Sequence, residues 1–217
     1  MAGCCDNEHY QSVFTGRFAR RVAKRYGKHG LNPTAQRIVD FATEHGIEGA
    51  TVLEIGGGVG EIQVEMLRRG AERVTNLEIS HNYEEEAGRL LARSGMADRV
   101  TRRFLDIAQS PEQVEPADVV VLHRVVCCYP DYQALLSAAA RHARRLLVYS
   151  HPADRVLNRA AIGTENLLRR LQGNAFRAFV HPPEAMVAAA ESEGVTASYR
   201  HRDRSGAWTW EVVGLLR

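Results

Sequence analysis

The sequence has no apolar run long enough to cross a bilayer, almost no net charge and only 4 cysteines in 217 residues. Its longest apolar stretch lies around Val119 to Leu122, far short of the ~20 residues of a spanning helix. The opening Met1-Ala2-Gly3-Cys4-Cys5-Asp6 holds no basic or apolar export segment, and Ala2 stands where myristoylation requires glycine. A membrane-spanning class is disfavoured, no membrane partner is expected, and the expected location is cytoplasmic. With 28 Lys and Arg against 26 Asp and Glu, the charge of +2 gives no global field for nucleic acid. The cysteine pairs Cys4-Cys5 and Cys127-Cys128 match no zinc spacing, and no metal ligand set is assigned.

What is present is ordinary globular material, 45% hydrophobic and 25% charged. A single domain over 1–217 is expected, with a helical cap at 1–46 and a core at 47–217 carrying a lid insertion at 152–180. Ser12 to Tyr26 reads as a basic amphipathic helix ending at Gly27; a second helix starts at Pro33 after Asn32 and stops at Gly46. Thr51 to Ile55, Arg73 to Ile79, Arg99 to Leu105, Ala117 to His123 and Leu146 to Ser150 read as strands separated by helices. That alternation predicts an α/β, Rossmann-like, doubly wound parallel sheet. Val195 to His201 and Ala207 to Leu215, joined by a turn at Arg202 to Gly206, predict antiparallel edge strands that bring the total to seven. A helix from Arg155 to Leu171 is expected in the lid.

The sharpest motif is Val52-Leu53-Glu54-Ile55-Gly56-Gly57-Gly58-Val59-Gly60, a strand feeding a glycine turn and then a helix. A dinucleotide fingerprint would want glycine where Glu61 stands. An acid two residues before G-x-G-x-G instead resembles the first motif of class I S-adenosylmethionine-dependent methyltransferases. That resemblance implies S-adenosylmethionine as cofactor, with Gly56, Gly57, Gly58 and Gly60 along its methionine portion and Glu54 near its ammonium. Glu78, before Ile79, ends the second strand about twenty residues on, where a carboxylate can accept ribose hydroxyls. Asp106, before Ile107, follows the third strand, where the family reads the adenine amine. His123 ends the fourth strand, beside the expected methyl donor.

No Asn-Pro-Pro-Tyr tetrapeptide follows that strand and no acidic cluster suits Mg²⁺, which disfavours base-amine methylation and a metal-assisted catechol reaction. Lys24-Arg25-Tyr26-Gly27, Val126-Cys127-Cys128-Tyr129-Pro130, Arg144-Arg145-Leu146-Leu147-Val148 and the region of His181 further resemble the magnesium-protoporphyrin O-methyltransferase family. That family implicates a tyrosine before glycine, matched by Tyr26, and a histidine before Tyr-Pro, whose position holds Cys128 here. Tyr26, His123 and Cys128 are therefore the candidate catalytic residues, and Cys127, Tyr129, His151 and His181 the candidate acceptor-side residues. The expected reaction is methyl transfer to an oxygen or sulfur of a small-molecule acceptor, in the manner of specialised metabolism. Four alternatives remain: a thiol S-methyltransferase, a porphyrin-type carboxyl O-methyltransferase, an RNA methyltransferase using the basic helix, and a non-catalytic S-adenosylhomocysteine-binding protein. The thiol reading would gain from Cys4 and Cys5 folding onto Cys127 and Cys128. The oligomeric state is left open.

Overall fold

The computed structural model describes residues 7–205 and 208–217. Three helices, α1 (Asn7–Val13), α2 (Gly16–His29) and α3 (Pro33–Glu44), precede the first strand. The expected helix from Ser12 to Tyr26 is thus two helices. Thr15 is extended and its hydroxyl accepts from Phe18 N at 3.3 Å, so the chain caps and restarts there. At its other end α2 runs through Gly27 to His29 and is closed by Gly30, at φ +70°. Asn32 caps α3 by accepting from Ala35 N at 3.1 Å, and Pro33 supplies the pre-set first turn.

The strands β1 (Thr51–Ile55), β2 (Arg73–Glu78), β3 (Val100–Phe104), β4 (Ala117–His123), β5 (Ala143–Pro152), β6 (Thr196–Ser205) and β7 (Trp208–Leu216) form one sheet in the order β3-β2-β1-β4-β5-β7-β6. The first five pair in parallel, and β7 lies antiparallel to both β5 and β6. This is the expected doubly wound, seven-stranded sheet. Its helices are α4 (Glu61–Arg68), α5 (Glu84–Ser94), α6 (Tyr132–His142), α7 (Val156–Leu171) and α8 (Pro183–Glu191).

Alternate residues of the central strands point to opposite layers, as the pleat requires. Leu53, Val120, Leu122, Leu147 and Tyr149 pack with α6 and α8, while Val52, Val119, Val121, Leu146 and Val148 pack with α3 and α4. The sequence reading grouped α3 with the cap; its apolar face, Ile38, Val39, Phe41 and Ala42, lies on the sheet. The larger differences in strand boundaries are in β5 and β6, the ends of the other strands agreeing to within one residue. β5 starts at Ala143 rather than Leu146, and β6 continues through the expected turn to Ser205 because Arg202 Nε donates to Glu211 Oε2 across the ladder at 2.5 Å. Gly206, in that expected turn, lies outside the described residues.

The strand order reverses between β1 and β4, and in such sheets the carboxyl ends of the strands open a crevice at that point. The rest of the packing leaves little slack. A Cβ on Gly214 would press into the ring of Phe41, itself stacked on Tyr199 at 4.9 Å. Gly214→Ala is therefore expected to destabilise the protein by about 2 kcal/mol in urea unfolding, the scale of an overpacked core.

Candidate active site

At the carboxyl edge β1 runs directly into the glycine turn. Gly56 N donates to Leu77 O at 2.7 Å, Gly57 N to Asn76 Oδ1 at 3.1 Å and Gly58 N to Glu78 Oε2 at 3.0 Å, which ties the loop to β2. Side chains are excluded here for reasons of space. A Cβ on Gly56 would sit 2.5 Å from Val125 Cγ2, and one on Gly57 would run into Asn76, Glu54 and Gln63. Above the loop lies a cavity of about 220 Å³, floored by Glu54, Gly56, Gly57, Gly58 and Glu78 and walled by α1, α2 and the end of β4. A narrower apolar slot of about 40 Å³ continues from it between Ile79, Leu105, Ile107 and Val125, with Asp106 at its edge.

Glu54 is 2% exposed, and its Oε2 has no hydrogen-bond partner. Burial pushes its carboxyl up to about 8. A buried, unpartnered acid opening into a cavity fits a cationic group such as the ammonium of an amino acid. Glu78 accepts from Ile79 N at 2.8 Å and Ser80 N at 3.0 Å as well as from Gly58 N, so its carboxylate is fixed in direction at the end of β2. Asp106 accepts from Ala108 N at 3.0 Å, Gln109 Nε2 at 2.9 Å and the Tyr129 hydroxyl at 2.9 Å. The acids, the glycine turn and the apolar slot together suit an amino-acid tail, a ribose and a purine in sequence.

His123 stands at the other side of the cavity. The Asn32 amide oxygen is occupied by the α3 cap, so its Nδ2 faces His123 Nε2 at 3.3 Å as a donor. Nε2 therefore carries the lone pair, and Nδ1–H donates to Ser150 Oγ at 3.0 Å. Ser150 Oγ also accepts from Arg124 N at 3.0 Å, which stabilises Arg124 at φ +59°. Burial, with the charge of Arg124 adding to it, holds the imidazole well below its ordinary pKa. It is neutral at pH 7.

A family model described as a methyltransferase domain matches residues 6–192. The chain belongs to this methyltransferase-domain family. The fold agrees: the magnesium protoporphyrin IX methyltransferase of Synechocystis PCC 6803, solved with bound S-adenosylhomocysteine, superposes with a TM-score of 0.75 at 19% identity over 98% of this chain and 100% of that one. An O-methyltransferase family protein of Burkholderia thailandensis gives a TM-score of 0.63 at 20% identity, over 93% of this chain and 63% of that one. An arginine N(omega)-methyltransferase of Streptomyces achromogenes subsp. streptozoticus is 33% identical over 135 residues, which is 60% of this chain and 37% of the relative. A ubiquinone biosynthesis O-methyltransferase of Pseudomonas paraeruginosa is 29% identical over 175 residues, 72% and 68% of the two lengths. This chain thus spans little more than a third of the first of these curated relatives.

The remaining candidate residues fall in three places. Tyr26 and Cys128 line the larger cavity with His123. The Tyr26 hydroxyl, however, donates to Glu65 Oε1 at 2.7 Å and accepts from Arg68 at 3.0 Å, and burial with Glu65 beside it raises its pKa further. The Cys128 thiol, 3.7 Å from that of Cys127, is pushed well up by that neighbour and by burial, so it stays protonated. Tyr129 lines the apolar slot. Cys127, His151 and His181 do not line the larger cavity. His181 Nε2 donates to Tyr129 O at 3.0 Å, and the ring lies between Tyr132 and Phe179. His151 is buried opposite Glu211 on β7, its Nδ1 3.0 Å from Pro152 O. Cys4 and Cys5 lie outside the described residues.

Sequence reasoning missed Asn32 as a partner of His123, Ser150 as its second partner, and Glu61, Tyr10, Phe14 and Tyr83 as cavity walls. Only Asn32 carried a local signal, as a cap before proline.

The raised Glu54 pKa has a stability consequence. Its folded value, about 8, lies above the ordinary 4.5, so the folded state holds the proton more tightly; the stability this gives is full below pH 4.5 and is lost as pH rises through 8. Ligand-free Glu54→Gln is expected to gain about 4 kcal/mol on the wild type between pH 5 and pH 9, read from denaturant midpoints at each pH.

Proposed function

We propose that this methyltransferase transfers a methyl group to an acidic oxygen or sulfur, a phenol or a thiol, of a small and largely apolar acceptor. The acceptor enters between α1–α2 and the carboxyl edge of the sheet. The observation that carries the reading is His123: a neutral imidazole lining the cavity, its Nε2 accepting from the Asn32 amide and its Nδ1–H anchored on Ser150. S-adenosylmethionine, when bound, would supply a methyl group on a sulfonium sulfur, its carbon open to in-line attack with the thioether as leaving group. Glu54 would hold its ammonium, Glu78 its ribose hydroxyls, and Asp106 with Ile79 and Ile107 its purine.

Everything else rests on side chains of this chain. His123 Nε2 takes the acceptor's proton once the Asn32 amide yields that lone pair, and Ser150 stabilises the imidazolium through Nδ1–H. Because burial and Arg124 resist that charge, His123 is a weak base. A weak base serves an acceptor that ionises readily, such as a phenol or thiol, better than an aliphatic alcohol. Tyr10, Phe14, Phe18 and Tyr83 line the cavity and favour an apolar body. Tyr26, its hydroxyl committed to Glu65, and Cys128, a protonated thiol, shape the wall beside His123.

The test is transfer of a labelled methyl group from S-adenosylmethionine into a panel of phenols, thiols, carboxylates, amines and bulk tRNA. Label in phenols or thiols is expected. Label confined to amines or RNA, or no transfer to any of them, would overturn the reading.

A further inference from the structure

Helix α7 is turned inside out relative to an ordinary surface helix. Asn158, Asn166 and Arg169 face the protein beside the single buried apolar residue, Ile162. Asn158 Nδ2 donates to Ala153 O at 2.7 Å and Thr209 O at 2.8 Å, and Asn166 brackets Ala178 with bonds of 2.8 and 2.9 Å. Arg169 lies over the Phe176 ring at 4.8 Å and pairs with Glu165. Its apolar side faces out: Val156, Leu157, Leu167, Leu168 and Leu171 are all exposed, Leu157 by 81% and Leu171 by 75%. At 3.6 residues per turn these five fall on one arc with Ala160 and Ala161, and the exposed Arg155, Arg159 and Arg170 fall on its flank. A helix normally buries such an arc against its own core.

A second surface is linked to it through Asn174 and Phe176, just past the end of α7. Helix α2 carries Arg17, Arg20, Arg21, Lys24, Arg25 and Lys28 and no acidic residue, and among the described residues none of the six is in an ion pair. These cations occupy one arc beside the cavity-lining side of the helix. The two surfaces are joined through the cavity rim. Asn174, just past α7, donates to Ser12 Oγ at 3.1 Å, and a chain of rings runs from Phe176 to Phe14 at 5.6 Å and on to Phe18 at 5.9 Å.

We propose that α7 and α2 together form an interfacial docking face for an anionic phospholipid bilayer, with the leucines of α7 entering the acyl boundary and the cations of α2 meeting the headgroups. Charge complementarity selects this occupant. A second copy laid on α7 about a two-fold axis would bring Arg155 and Arg170 against their own kind, while an RNA would satisfy α2 and leave five large apolar side chains in water. An anionic lipid surface satisfies both. Among the described residues no helix is long and apolar enough to cross a membrane, so the contact is peripheral. The proposal replaces the expectation of no membrane partner and does not depend on which acceptor is methylated.

The experiment floats the full chain with vesicles of phosphatidylcholine alone and with vesicles containing equal parts phosphatidylglycerol. Binding is expected only to the latter, weakening as salt rises. Leu157→Glu with Leu168→Glu, and separately Arg20→Glu with Arg21→Glu, are each expected to weaken partitioning at least about tenfold. These side chains are exposed and outside the cavity, so both variants should keep wild-type binding of S-adenosylhomocysteine by calorimetry, which also verifies folding. No association with phosphatidylglycerol vesicles, or association unchanged in the leucine variant, would overturn the proposal. So would a dimer in sedimentation that Leu157→Glu dissolves, or RNA binding in the absence of vesicle binding.

Discussion

Gly57→Ala is expected to weaken S-adenosylmethionine binding at least about 100-fold, a loss of nearly 3 kcal/mol, measured by equilibrium dialysis. The cause is space rather than backbone conformation, since Gly57 is not among the positive-φ glycines. The added methyl would meet Asn76 Oδ1, Glu54 Oε2 and Gln63 Nε2, the last at 2.6 Å, and all three residues are buried. Asn76 and Gln63 are enclosed and Glu54 can move only toward the cavity, so the added methyl displaces the loop or Glu54 into the space proposed for the donor. It would also lose the bond from Gly57 N to Asn76. Gly27→Ala in α2 is the control: nothing lies within 4 Å of its added Cβ, and donor binding should not change. Equal losses in the two variants would show that the loop is not the donor cradle.

The second large effect belongs to the acceptor side. His123→Gln should lower kcat about 100-fold and leave donor affinity within about twofold of wild type. Glutamine keeps an amide in reach of Asn32 and Ser150, so the cavity wall survives while the proton acceptor is lost. The pH profile separates this from a packing defect. As pH passes the acceptor's own pKa, the nucleophile ionises without help and the variant's rate should approach that of wild type. A deficit that stays constant across that range would mean His123 only shapes the wall.

Much of the cavity floor, where we propose the cofactor binds, was legible in the sequence because its determinants are local. Glu54 and the glycines are contiguous, while Glu78 and Asp106 each end a strand whose apolar pattern is plain, so position along the chain predicts position on the sheet edge. The helix break at Thr15 was also written locally, as a capping residue before Gly16, but the basic amphipathic pattern runs across it and hides it. Charged residues concealed the length of β6: Arg202 reads as turn, yet on an edge strand it can pair with Glu211 and remain half in water. The acceptor half was harder to read. Asn32 and His123 are 91 positions apart, and His123 and Ser150 meet only because β4 and β5 pair in register. Tyr26 illustrates the limit, since residue type and spacing place its ring at the cavity but not its hydroxyl, which Glu65 and Arg68 draw away. The inverted amphipathicity of α7 was likewise invisible, because periodicity reveals an apolar face without saying which way it points.

The central claim is that the carboxyl edge between β1 and β4 holds the methyl donor across Glu54, the glycine turn, Glu78 and Asp106. Calorimetric titration of the purified, ligand-free protein with S-adenosylhomocysteine tests it most directly. The account predicts saturable heat at one site per chain, strongly reduced when Glu78 is replaced by alanine in a variant that remains folded. Absence of heat in the wild type, or undiminished heat in Glu78→Ala, would contradict it.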